Sequence, residues 1–155
     1  MSYGRFAAMI VTSAVVMFGL MYLNTYQFSH VHFSQTRSWM ALYMGGAMAA
    51  IMLGFMWGMY RNRVANLAIL GLSAVAFGLG LFMVRSQATV GDVAWMKAMI
   101  PHHSIAILTS ERANISDPRV RALADGIIET QRREIAEMEV LIAELEGGDP
   151  APAGQ

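Results

Sequence analysis

Met96, Met99, His102 and His103 stand within eight residues of one another, in a 155-residue chain that has 14 methionines and no cysteine. On one helix Met96 and Met99 are spaced i,i+3, and Met99 and His103 i,i+4, so the three share a face. His102 is one step off that stripe but three residues from Met99. Thioether sulfur and imidazole nitrogen together suit a soft ion, above all Cu(I), with Ag(I) as an alternative occupant. Mg²⁺ and Ca²⁺ want oxygen and are disfavoured, and zinc held through the histidines ranks behind copper. Methionine also binds without losing a proton and cannot be tied up as a disulfide in an oxidising compartment. A lone Met or His would carry no such reading, because Met is an ordinary core filler and histidines often only cap or line a helix. The pair of each type, in a Cys-free chain, points to metal.

Further donors lie elsewhere. Met138 falls on the apolar stripe of a later helix, where it is either another sulfur ligand or core. Gln131 interrupts the same stripe, and a buried amide there would suit a His ring N–H as a supporting hydrogen-bond partner. His30 and His32 sit in a loop between two apolar segments and read first as interfacial histidines without metal; the alternative is that one or both approach the Met96–His103 cluster as additional metal donors, completing or extending the site. Met40, Met44, Met48, Met52 and Met56 recur every four residues. Steps of four wind about 40° each past a full turn, so these five form a packing ridge more naturally than a copper conduit.

The elements that must position these residues are all helical. Apolar stretches at about residues 6–23, 39–60 and 64–84 carry no charge and are long enough, at roughly 27–33 Å, to span a hydrocarbon core. Residues 1–85 are therefore expected to form a three-helix membrane anchor with the lipid bilayer as partner. Arg5, Arg61 and Arg63 share one side, and the short Arg61–Arg63 turn favours the cytoplasm, which leaves the N-terminus inside and everything after Val84 outside. Gly46, Ala50, Gly54 and Gly58 form a small-residue ridge on span two, expected to pack against its neighbours or against a second copy.

Beyond a short polar linker, residues 92–146 read as an extracytoplasmic helical hairpin or small bundle. Asp92 is a candidate N-cap, and Pro101 either starts a new helix or kinks a continuous one. Asp117-Pro118 signals a second helix, whose seam runs Ala124, Ile128, Gln131, Ile135, Met138, Ile142, Leu145 and stops at Gly147-Gly148. The tail 147–155 is Pro/Gly/Ala-rich and expected to be disordered.

Net charge is zero but segregated. Residues 1–91 hold five arginines and no carboxylate, whereas residues 92–155 hold six basic and 11 acidic residues, a net of −5. Scattered positive charge inside apolar sequence leaves no nucleic-acid footprint. Thiolate zinc sites, iron–sulfur clusters and cysteine nucleophiles are excluded by composition, and no H-E-x-x-H, G-x-S-x-G or phosphate-cradling loop occurs. No enzyme is expected.

Asp92-x-x-Trp95-Met96-x-x-Met99-Ile100-Pro101-His102-His103-x-x-Ala106-Ile107, followed by Ile128-x-x-Gln131-x-x-Glu134-Ile135-x-x-Met138, resembles the family known as domain of unknown function 305. The resemblance covers about residues 92–142. It implies a ferritin-like helical fold and, for some members, extracytoplasmic copper or silver binding through Met and His at Met96, Met99, His102, His103 and Met138. Where members often carry Gln after the His pair and a Met in the next turn, this chain has Ser104 and Thr109. A ferritin-like di-iron oxidase would need paired Glu-x-x-His motifs, and none occurs. The expected function is therefore membrane-anchored binding of Cu(I) for copper homeostasis or delivery, the partner being a second copy or a larger membrane copper protein. The alternative is a non-metal accessory subunit of a larger membrane complex.

Overall fold

A computed structural model describes residues 2–147 of the protein. The tail expected to be disordered lies, from residue 148 onward, outside the described residues. Among the described residues there are five α-helices: α1 (Tyr3–Leu20), α2 (Gln35–Phe55), α3 (Arg63–Ser86), α4 (Asp92–Arg112) and α5 (Pro118–Leu145). No strand occurs among the described residues. The chain divides into two units. One contains residues 1–21 and 35–89; the other contains residues 22–34 together with those from 90 onward.

In the first unit α1, α2 and α3 have 18, 21 and 24 residues. All three are long and apolar enough to cross a membrane. Their ends differ from the apolar stretches in the sequence. α2 begins four residues before Trp39 and stops at Phe55, and Trp57–Met59 forms a separate 3₁₀ turn. Gly54 and Gly58 flank that break, and glycine weakens a helix by about 1 kcal/mol relative to alanine.

The small-residue ridge is used only in part. A Cβ on Gly46 would stand 2.8 Å from the Ser73 carbonyl oxygen and 2.9 Å from the Phe77 nitrogen, so α2 and α3 meet backbone to backbone there. Gly80 on α3 makes the reciprocal approach to the Trp39 oxygen and Tyr43 nitrogen, both 2.9 Å from where its Cβ would be. Nothing lies within 4 Å at Gly54 or Gly58. Those two positions, expected on the packing ridge, lie past the contact: one in the last turn of α2, the other in the 3₁₀ turn. Met52 and Met56 pack against the core of Phe6, Leu53 and Tyr60. At the start of α3, fully buried Asn66 donates Nδ2 to the Tyr60 carbonyl at 2.8 Å and accepts from the Tyr3 hydroxyl at 2.9 Å. The fold thereby ties the beginning of α1 to the beginning of α3.

The second unit is built on α4 and α5. Gly91, not Asp92, is the N-cap of α4, and Asp92 occupies the first turn, where a carboxylate complements the helix dipole. Pro101 is fully buried inside one unbroken helix. Asp117 caps α5, accepting from the Arg119 amide at 2.8 Å, with Pro118 in the first turn. Lys97–Glu146, His103–Glu134 and Glu111–Arg132 pair across the two helices, which fixes them antiparallel. Between them, Met96, Ile100, Ile107, Ile135, Met138 and Ile142 form one buried core. Of the stripe read on α5, Ala124, Ile135, Met138 and Ile142 are buried, while Leu145 at its end is 59% exposed.

Candidate metal centre

α4 buries Met96, Ile100, Ser104 and Ile107 along one stripe, and half-buried His103 lies on the same side, four residues before Ile107. Met96 is 4% exposed and Met138 6%, and Met99 packs against the core they share. The antiparallel register does the rest. Because His103 faces Glu134 and Lys97 faces Glu146, moving back along α4 from His103 to Met99 corresponds to moving forward along α5 from Glu134 past Met138. Three thioethers are thus brought into one core. His102, one step around the helix, is exposed, its ring centroid 6.1 Å from that of His103. The structure does not bring His102 into the cluster.

His103 Nδ1 is buried and lies 3.4 Å from Glu134 Oε2, within ion-pair reach, yet no hydrogen bond closes on it among the described residues. Gln131, expected to serve the imidazole, is half-buried on α5, and no side-chain hydrogen bond to His103 forms among the described residues. Glu134, one turn further along α5, takes the place next to the ring. Burial pushes the His103 pKa below its ordinary value, Glu134 opposes the shift and His102 adds to it. Neutral imidazole is the form that offers a lone pair.

Residues 22–34, which the sequence places between two apolar helices, fold into the same unit as α4 and α5. Tyr26 packs against the Met96–Met138 core. Fully buried Ser104 holds the loop: its Oγ accepts from the Tyr26 amide at 2.6 Å and lies 3.0 Å from His30 Nδ1. Ser104 Oγ thus serves two loop groups at once, the Tyr26 amide and the His30 ring. Ser104 is the residue that sequence reasoning missed. The sequence marks it only as a departure from Gln, although a serine on the buried stripe of a helix demands a partner.

His32 Nε2 is buried without a hydrogen-bond partner among the described residues. Burial lowers the pKa of both loop histidines, and the nearby Glu139 works against it. The further effects are lowering by His32 on His30, and lowering by Lys97 with raising by Glu146 on His32. No group of three or more His, Cys, Asp or Glu is placed to hold a metal ion among the described residues. An ion here would have to use the thioethers.

These three histidines give a signed pH dependence. Each has a folded pKa below the ordinary value of 6.5, so between the two values the unfolded chain binds more protons. Stability of the metal-free second unit should therefore rise with pH through that window and level off above about 7. Urea unfolding followed at pH 5.5 and 7.5 checks this; a midpoint higher at pH 5.5 contradicts it.

Among the described residues, fold and site together define an all-α protein in which three apolar helices accompany a helical hairpin with a thioether-rich core and half-buried histidines. Residues 83–152 match the family model described as Domain of unknown function (DUF305), which supports that family for the C-terminal part of the chain. An uncharacterized protein of Acanthamoeba polyphaga mimivirus is 39% identical over 66 residues, which is 41% of this chain and 43% of that relative. The aligned part spans less than half the length of either protein. No solved structure matches the chain.

Proposed function

We propose that this protein is a membrane-anchored binder of soft metal ions, Cu(I) first with Ag(I) able to replace it, serving copper homeostasis or delivery. In this reading α1, α2 and α3 cross a bacterial cytoplasmic membrane with the N-terminus inside. The second unit is then a ferritin-like helical half working in the periplasm. The supporting observation is the gathering of Met96, Met99 and Met138 in one core, within a unit that also buries two imidazole nitrogens lacking hydrogen-bond partners, His103 Nδ1 and His32 Nε2. Buried polar atoms are normally paired, so each such nitrogen asks for a ligand. Thioethers supply the soft donors and His103 the nitrogen, with His30 or His32 as further donors from the loop. His102 is the weakest of the expected ligands because it faces solvent. The −5 charge of the segment from residue 92 attracts cations without choosing among them. Zinc is disfavoured because no three His, Asp or Glu side chains converge among the described residues.

The test is a Cu(I) titration of the full chain against a competing chelator, comparing the parent with Met96→Leu/Met99→Leu. Met and Leu are close in volume, so the core survives the exchange. Loss of about 100-fold in affinity, roughly 2.7 kcal/mol, is expected. One observation favours a second reading: Met96 and Met138 also complete an ordinary apolar core. A non-metal accessory subunit of a larger membrane complex, or of a homo-oligomer, would show only weak Cu(I) binding that ignores both substitutions.

A further inference from the structure

We propose that the three-helix unit holds an anionic phospholipid, with its phosphate at Arg5, Arg61 and Arg63 and one acyl chain in the groove between α1 and α3. The proposal rests on the membrane-spanning reading of these helices and is independent of metal binding. α1 and α3 each pack on α2, and a groove of about 550 Å³ lies between them. This is within the usual range of small-ligand cavities. It runs from Tyr3 and Phe6 to Ala14 and Ala76, floored by Gly45 and Ala49, and its lining is almost wholly apolar.

The polar end is assembled by hydrogen bonds. The Tyr3 hydroxyl reaches the Asn62 carbonyl at 3.2 Å and Asn66 Oδ1 at 2.9 Å. Arg5, next to Phe6, and Arg61 and Arg63, on either side of Asn62, therefore gather at the same end of the groove. All three are exposed, and none has an ion pair among the described residues. Residues 1–91 contain no carboxylate that could supply one. Tyr60 adds an unmet donor there. It is 2% exposed, its ring lies 4.8 Å from that of Tyr3 and 5.5 Å from that of Phe6, and its hydroxyl has no partner among the described residues.

Uncompensated cations at one end of a dry groove match a molecule with an anionic head and an alkyl chain. Inorganic phosphate would leave the groove unfilled, and a neutral lipid would leave the arginines uncompensated. A parallel helix pair from a second copy would bring three more arginines to the same end, with no carboxylate to meet them.

The experiment uses the full chain in phosphatidylcholine nanodiscs, doped with phosphatidylglycerol or phosphatidylcholine carrying a photoreactive group on one acyl chain. Resistance to carbonate extraction from liposomes first reports insertion, so failure of the anchor itself is read separately. The glycerol lipid should label α1 and α3 about tenfold more strongly than the choline lipid. Arg5→Gln/Arg61→Gln/Arg63→Gln should bring the two to one level. Ala7→Phe, at an exposed position on the groove wall, should lower labelling by both. Excess inorganic phosphate should change nothing. Equal labelling by the two lipids in the parent would overturn the proposal. So would a preference that survives the arginine substitutions, displacement by phosphate alone, or crosslinks to a second copy in place of lipid.

Discussion

Gly80→Ala should destabilise the three-helix unit by about 2 kcal/mol, although alanine is the better helix former. The added Cβ meets the Trp39 oxygen and Tyr43 nitrogen at 2.9 Å, and these are backbone atoms that no rotamer change can move away. Only separation of α2 from α3 relieves the overlap, and separation loosens the close contact along the rest of the pair. Gly46→Ala acts at the other crossing, against Ser73 and Phe77, and should cost a similar amount. Since one separation relieves both, the double variant should cost less than the sum of the singles. Gly54→Ala, with nothing within 4 Å, meets no clash and should cost nothing, raising stability by up to about 1 kcal/mol. Reversible unfolding in mixed detergent, followed by circular dichroism, compares the four variants with the parent. A Gly54 effect as large as the Gly80 effect would mean that the backbone contact between α2 and α3 does not govern stability.

That contrast shows what the sequence could and could not disclose. Spacing by four placed Gly46, Ala50, Gly54 and Gly58 on one stripe, but periodicity has no knowledge of where a helix stops. α2 ends at Phe55, so the stripe outlasts the element. Gly80, which matters as much as Gly46, stands seven residues beyond Ser73 and fourteen beyond Asn66, the buried face of α3, but only the facing helix shows that backbone meets it there. The second unit was more legible. Asp117-Pro118 gave a sharp helix start, and the apolar stripe on α5 identified Ile135, Met138 and Ile142 as inward residues before any partner was known. Adjacency in sequence misled at His102, because a 100° step per residue sends neighbouring side chains to different faces. Gln131 was the right helix but not the right turn; Glu134 reaches His103 instead. The loop of residues 22–34 is legible only in part: His30 and His32 suggest an approach to α4, but no residue pattern shows that Ser104 accepts from the Tyr26 amide 78 residues away or that Tyr26 packs on the core.

Ser104→Ala should release that loop. Removing Oγ leaves the Tyr26 amide without its acceptor and His30 without its neighbour, inside a site where Ser104 itself is fully buried. A donor left unpaired in such a place costs about 1–3 kcal/mol. Amide exchange at Tyr26 should therefore quicken by roughly 10- to 100-fold, while amides of Ile135 and Met138, held in the α5 core, keep their protection. His30→Ala should have the smaller effect, since Ser104 can still accept from Tyr26. Equal acceleration in the two variants would mean that the histidine, not the amide, secures the loop. The same pair of proteins tests whether the loop joins the proposed metal site. In that proposal His32 Nε2, buried without a partner among the described residues, can serve an ion only while the loop is held. Cu(I) affinity should then fall about tenfold in Ser104→Ala with Met96, Met99 and Met138 intact. If exchange at Tyr26 rises and Cu(I) affinity stays at the parent value, His30 and His32 contribute nothing to the ion, and the donors come from α4 and α5 alone.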